Sequence, residues 1–160
     1  MRKVVVNSTP LIALCKIGRL DILKAMYKEI LIPEAVYREV TEKNDAVMTL
    51  IKKNLSWIKI ENISNYADKK MYKARLHDGE VEVMILAQEK KADLVIIDDL
   101  SARKTAEYLE LPLTGTLGVL IKAKTNNVIP AVMPIIREME SHGIYFSKAL
   151  VERIRRLSNE

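Results

Sequence analysis

The stretch "DLVIIDDL", residues 93–100, sets four apolar residues between an aspartate and an aspartate pair. A strand with one wet face alternates apolar and polar side chains, but Leu94, Val95, Ile96 and Ile97 show no polar face. The segment therefore reads as a strand covered on both sides, as in a parallel sheet flanked by helices. Val4–Val6 reads as a second short buried strand, stopping at Asn7, and "ILI" (30–32) as a third. "SWIKIENI" (56–63) has the alternation of a half-exposed strand, and "LPLTG" (111–115) is short and strand-like.

The segments between these strands have helical patterns. The first helix is expected over Pro10–Ile17, with Pro near its first turn and Gly18 at its stop. "RLDILKAMYK" (19–28) resumes as an amphipathic helix, and another is expected from Pro33 through Ala35, Val36, Val40, Val47 and Ile51. From Asp68 to Gln88 the pattern is helical with a break at Asp78–Gly79. "TLGVLIKAK" (116–124) follows the last strand, and Pro130 and Pro134 bracket the entry to a further helix. An amphipathic helix at about 147–158 closes the pattern, with Leu150, Val151, Ile154 and Leu157 along one face. Strands alternating with helices imply βαβ crossovers and an α/β fold, a three-layer α/β/α sandwich around a central parallel sheet. No repeat, low-complexity tract or Gly/Ser linker divides the chain, so residues 1–160 are expected to form a single domain.

Bulk properties narrow the function classes. Apolar residues make up 49% of the 160 and charged residues 29%, a globular balance. No apolar run approaches the roughly 20 residues of a spanning helix, so no membrane role is expected. "MRKVVVNSTPLIALCK" imitates a lipoprotein signal, but Asn7–Pro10 interrupt its apolar stretch and Leu14 is a poor residue before a cleaved Cys. It is expected to be part of the mature fold. Cys15 is the only cysteine, which excludes an internal disulfide and points to the cytoplasm. His77 and His142 have no zinc-type spacing to it or to each other. The net charge of +5 is compatible with a phosphate-backbone partner without establishing one.

In open parallel sheets ligands gather beyond the carboxyl ends of the strands. Three places qualify: Asn7–Thr9, Asp98–Asp99, and Thr114–Thr116. A hard divalent cation such as Mg²⁺ or Mn²⁺ takes oxygen ligands, and converging carboxylates supply them. Capping of a helix starting near Leu100 explains Asp99 equally well, but it does not explain Asp98. Glu34, Arg38 and Glu42 form an i, i+4, i+8 ladder suited to water. Glu39 stands one step round from them, beside Ala35 and Val36, on the face that should pack. Asp78 reads as an N-cap and Glu80 as a first-turn acid favoured by the helix dipole. Glu80 also shares the apolar side with Met84 and Ala87, while Glu82 is expected to project elsewhere, and Thr116 has the look of a plain cap. No Walker, dinucleotide-binding or Ser/His/Asp pattern is present, and the "IIDD" pair comes too late in the chain for a receiver-type phosphorylation pocket.

Taken in order, "NSTPLI", "IPEAVYREV", "DGEVEVMILA", "LVIIDD" and "LPLTGTLGVLIKAK" resemble the PIN-like proteins of the DUF3368 family, from about Val4 to the last helix. The resemblance implies a three-layer α/β fold and a Mg²⁺- or Mn²⁺-dependent ribonuclease akin to the VapC-type toxins of toxin–antitoxin pairs. It places Asn7 where active PIN nucleases have a first-strand Asp. It assigns Glu39, Glu80, Asp98 and Asp99 as ligands or water-orienting acids, with Asn7 lending a neutral oxygen. RNA is the implied substrate, and a small antitoxin partner and a homodimer are implied on the same ground alone. Asn in place of Asp removes one negative charge and leaves one carbonyl acceptor. The alternative is therefore a catalytically weakened RNA-binding or regulatory module on the same fold.

Overall fold

The computed structural model describes residues 2–72 and 76–160. Its centre is a five-stranded, all-parallel sheet in the order β3-β2-β1-β4-β5. These strands are β1 Val4–Val6, β2 Ile30–Pro33, β3 Ile58–Glu61, β4 Leu94–Ile96 and β5 Leu113–Thr114. The ten helices among the described residues complete the α/β/α arrangement expected from the apolar strands. Val4, Val5, Val6, Val95, Ile96 and Ile97 are fully buried, as a central parallel sheet requires. The strand order turns back at β1: the chain steps outward to β2 and β3, then returns to β4 on the other side. Such a switch point opens a crevice at the carboxyl edge of β1 and β4.

Helix α1 (Ser8–Lys16) starts directly after Asn7, two residues earlier than the pattern implied, and ends with Gly18 at φ +67. That left-handed turn is one glycine enters without a Cβ penalty. α2 spans Asp21–Tyr27. The long helix expected after Pro33 is two helices, α3 (Glu34–Thr41) and α4 (Ala46–Lys53). The break at 42–45 arises because Asp45 turns extended and its carboxylate accepts the Met48 N–H at 3.2 Å, starting α4 afresh. β3 is an edge strand, and Ile60 is exposed there despite the alternation.

The helical pattern over 68–88 resolves into α5 (Tyr66–Tyr72) and α6 (Asp78–Lys90), and the expectation for 73–75 lies outside the described residues. His77, not Asp78, occupies the N-cap of α6; Asp78 is its first residue. α6 crosses the middle of the molecule, packed on β1, β2, β4, α3, α5 and α7. Every residue from Gly79 to Ala87 is buried, so the helix has almost no polar face. α7 (Leu100–Tyr108), α8 (Thr116–Thr125), α9 (Met133–Ser141) and α10 (Lys148–Leu157) follow. α10 packs against α8, but of its apolar stripe Ile154 is buried whereas Leu150 and Leu157 are exposed. The α9 N-terminus is capped by Glu160, whose carboxylate takes the N–H groups of Val132 and Met133 at 2.8 and 3.0 Å.

Glu82 departs most from expectation. Its carboxylate is buried inside the helix layer, not projected to solvent. One oxygen accepts the Ala35 N–H in the first turn of α3 at 3.1 Å, and the other takes Lys69 Nζ from α5 at 2.6 Å. A carboxylate at a helix N-terminus, paired with an ammonium, is stable in such a setting. Removing Glu82 takes away the close partner of the largely buried Lys69, leaving it the more distant Asp78 carboxylate at 4.0 Å. Glu82→Ala is expected to lower stability by about 3–5 kcal/mol, read as a shifted urea midpoint. An unchanged midpoint would show that this carboxylate does not tie the three helices.

Candidate functional site

Backbone pairing lines up the strand ends. Asn7 N–H donates to Ile96 O, and Ile97 N–H to Thr114 O, both at 2.9 Å. Asn7, Asp98 and the Thr114–Thr116 turn thus stand side by side on one sheet edge. Asn7 is 4% exposed, and its side chain makes no capping bond to α1. Its Oδ1 is buried with no hydrogen-bond partner. A buried amide oxygen left this way forgoes about 1–3 kcal/mol, so some group of positive character belongs opposite it.

Glu39 reaches this edge from α3. Ser8 donates its hydroxyl to Glu39 Oε2 in a short hydrogen bond, and the carboxylate lies directly over Gly79. A methyl group at residue 79 would run into Glu39 Oε1, so the glycine is there for space. Glu80 enters from the first turn of α6 and is buried. Burial first, then the negative charges of Asp99 and Glu39, raise its pKa; the His77 charge and backbone N–H pull in the opposite direction. Asn7, Ser8, Thr9, Glu39, His77 and Glu80 line one cavity of about 630 Å³.

The two aspartates divide their roles. Asp99 is the N-cap of α7, accepting the Ala102 N–H at 2.9 Å, as helix capping predicted; its charge still reaches Glu80. Asp98 accepts twice from Thr116, the N–H at 2.8 Å and the hydroxyl at 2.5 Å. Thr116 is therefore a support for Asp98 and not the plain cap expected of it; Gly115 holds the N-cap position. The structure brings Asn7, Glu39 and Glu80 into one cavity with Asp99 close by, while Asp98 stands on the neighbouring strand end. Among the described residues no three Asp, Glu, His or Cys side chains form a ready-made cation cage.

Sequence reasoning included Ser8 with Asn7 and Thr9, but missed His77, which lines the cavity, and Gly79, over which the Glu39 carboxylate lies. For Gly79 the signal was the pairing of a glycine with an acid at the helix start. The donor set is carbonyl and carboxylate oxygen with one imidazole, which suits a hard divalent cation and not zinc. The orphaned Asn7 oxygen fits the same conclusion.

The sequence matches the DUF3368 family model, described as a PIN domain, over residues 3–160. No curated protein matches it significantly.

The Glu80 environment makes a pH-dependent prediction. Its folded pKa lies above the ordinary 4.5, so ionised Glu80 weakens the fold without a cation. The penalty is absent well below 4.5 and grows as the pH rises through the raised value. In EDTA, Glu80→Gln should therefore melt above wild type at neutral pH, with the gap closing in acid. Equal melting temperatures at both pH values would show that the crowding of acids is not felt.

Proposed function

The chain belongs to the DUF3368 family of PIN domains, and from that premise we propose that it is a metal-dependent ribonuclease. PIN domains generally use divalent metal ions, and Mg²⁺ or Mn²⁺ is the cation the oxygen donors here suit. The observation that carries the reading is the buried, unpartnered Oδ1 of Asn7 in a cavity with Glu39 and Glu80. An acceptor without a donor among the described residues and an acid whose pKa is raised by burial and neighbouring carboxylates both gain from a cation.

Glu80 and Glu39 would hold the cation, with Asn7 Oδ1 and Asp98 completing the oxygen set and Asp99 adding charge. When bound, the cation supplies Lewis-acid stabilisation of phosphoryl charge and a water of lowered pKa. The chain's own residues do the positioning. Ser8 fixes the rotamer of Glu39 through its hydroxyl. Thr116 fixes Asp98 through two donors, leaving a lone pair on each oxygen. Glu80, buried and crowded, is the acid whose protonation state responds most to the arrival of a cation. Asn7 lowers the total charge by one while keeping an oxygen in place, which weakens cation binding and leaves four carboxylates to sustain it.

In this reading the protein works in the cytoplasm as the toxin of a toxin–antitoxin pair, with a small antitoxin as partner, and forms a homodimer. These three points rest on resemblance to PIN toxins. Among the described residues no helix is long and apolar enough to cross a membrane.

Purified protein should cleave RNA in Mn²⁺ and lose about 100-fold or more of that rate in Asp98→Asn and Glu80→Gln, the scale of removing one preorganised charge. Asn7→Asp should melt lower in EDTA and bind Mn²⁺ about tenfold more tightly, roughly 1.4 kcal/mol, by calorimetric titration. Protein that cuts no RNA in either metal would overturn the nuclease reading. Salt-sensitive RNA binding indifferent to chelator would then favour the weakened binding module.

A further inference from the structure

The carboxyl edge of the sheet gathers four acids, and Arg103 of α7 brings a guanidinium to the strand end beside Asp98. Its backbone N–H donates to Asp99 O at 2.9 Å, which places it one turn into the helix. Helical side chains lean toward the N-terminus, so the guanidinium returns over the end of β4. Nη1 makes one long hydrogen bond, to Ile97 O at 3.4 Å. Glu107 lies four residues on, the usual helical partner for an arginine, yet no ion pair joins them. Among the described residues no carboxylate reaches Arg103 at ion-pair distance. A half-buried fork with five donors and one weak acceptor is poorly used by the protein itself.

Gly115 sets where the fork lies. Its φ of −112 is extended backbone that any residue adopts, so conformation does not demand glycine. Space does: a Cβ there would lie 2.7 Å from Asp98 Oδ1 and 2.9 Å from Arg103 Nη1. The Asp98 carboxylate and the Arg103 guanidinium thus both pack against the backbone of Gly115 at the strand ends, which sets an acid and a cation side by side. A group that bridges them must satisfy the guanidinium on one side and a cation held by Asp98 on the other. A phosphodiester does both with its two nonbridging oxygens, one to each.

We propose that Arg103 is the phosphate-holding residue of this site, seating a backbone phosphate of RNA beside Asp98. The proposal rests on the ribonuclease reading and adds its substrate contact. A guanidinium on a phosphate reads no base, so this contact contributes affinity without sequence preference. Lys104, exposed on the adjacent position of α7, points to solvent and serves as the comparison charge.

The test is fluorescence anisotropy with short labelled single-stranded RNAs of different sequence, in EDTA and in Ca²⁺, across a salt series. Arg103→Gln keeps the stem and loses the charge. It should weaken binding about 10- to 100-fold, the scale of hydrogen bonds to a charged group, and flatten the log–log salt slope by about 0.7. Arg103→Lys should recover part of the affinity and the full slope, and Lys104→Gln should change both far less. Calorimetry should find Mn²⁺ affinity unchanged in Arg103→Gln. Wild-type affinity and slope in Arg103→Gln would overturn the proposal, as would an equal fall in Mn²⁺ affinity, which would make Arg103 a prop for Asp98. Wild-type protein that binds no RNA in any condition would remove the ribonuclease reading itself, and this inference with it.

Discussion

The carboxylate of Glu82 takes the first-turn N–H of Ala35 on one oxygen and the ammonium of Lys69 on the other, and three helices depend on that knot. Without it, α3 would start with an uncapped turn packed on a helix that has no polar face. With it, α3 is pinned to α6 at a fixed height. Glu39, five residues after Glu34, then falls over Gly79 at the start of α6, next to Glu80. The acidic pocket is therefore a downstream consequence of a buried salt bridge that takes no part in it. Such pairs add little net stability over an apolar substitute, but they punish misalignment severely. Here the gain is registry between the helix bearing one acid and the helix bearing the next.

Registry brings together groups that repel. Burial first, then the charges of Asp99 and Glu39, raise the pKa of Glu80 against the His77 charge and backbone N–H. Folding tolerates this because the acids sit where the strands end, at the edge of the core, and because helix starts surround them. Asp99 spends one oxygen on the α7 cap and Asp98 spends both on Thr116, so each has a structural reason to be where it is. Glu80 has the weakest such reason and the greatest burial, which makes it the group most altered by a cation. Asn7 moderates the same repulsion. At 4% exposure an aspartate there would be a further buried charge beside the others, whereas the amide keeps an oxygen in place at lower electrostatic tension.

The sheet was legible in the sequence because burial on both faces writes an unbroken apolar run, as in Leu94–Ile97. Asn7, Asp98 and Asp99 were legible for the same reason: each is the first polar residue or pair after a buried strand. Helix periodicity is informative only where a helix has two kinds of side. It set Glu39 apart from Glu34, Arg38 and Glu42 on the packing face of α3, but Glu39 is exposed as they are, and what distinguishes it is the Ser8 hydroxyl that holds its carboxylate. It failed on α6, where residues 79–87 are all buried and Glu82 cannot be told from a solvent-facing acid by spacing. The break between α3 and α4 was lost for another reason. Val40 and Val47 keep a helical spacing across a turn that Asp45 interrupts, and apolar periodicity does not register a cap within a polar run. The bonds Ser8–Glu39 and Thr116–Asp98 join residues 31 and 18 apart, and no local pattern announces them.

Gly79 and Gly115 show how the remaining tolerance of the site is set. Neither has the positive φ that usually explains a glycine, and each lies against the carboxylate of a different acid, Glu39 in one case and Asp98 in the other. Gly79 is the second residue of α6 and Gly115 the N-cap of α8, so both lie where the chain turns into a helix beside an acid. An alanine at either place would push a carboxylate off its support: Glu39 from the Ser8 hydroxyl, Asp98 from the Thr116 pair. The positions of the acids are thus fixed from two sides, by a donor that holds each carboxylate and by a missing side chain that lets it lie close. Loss of charge at an acid and gain of a methyl at its glycine should accordingly affect the same geometry by different physical routes, one electrostatic and one steric. Only the first should depend on the cation.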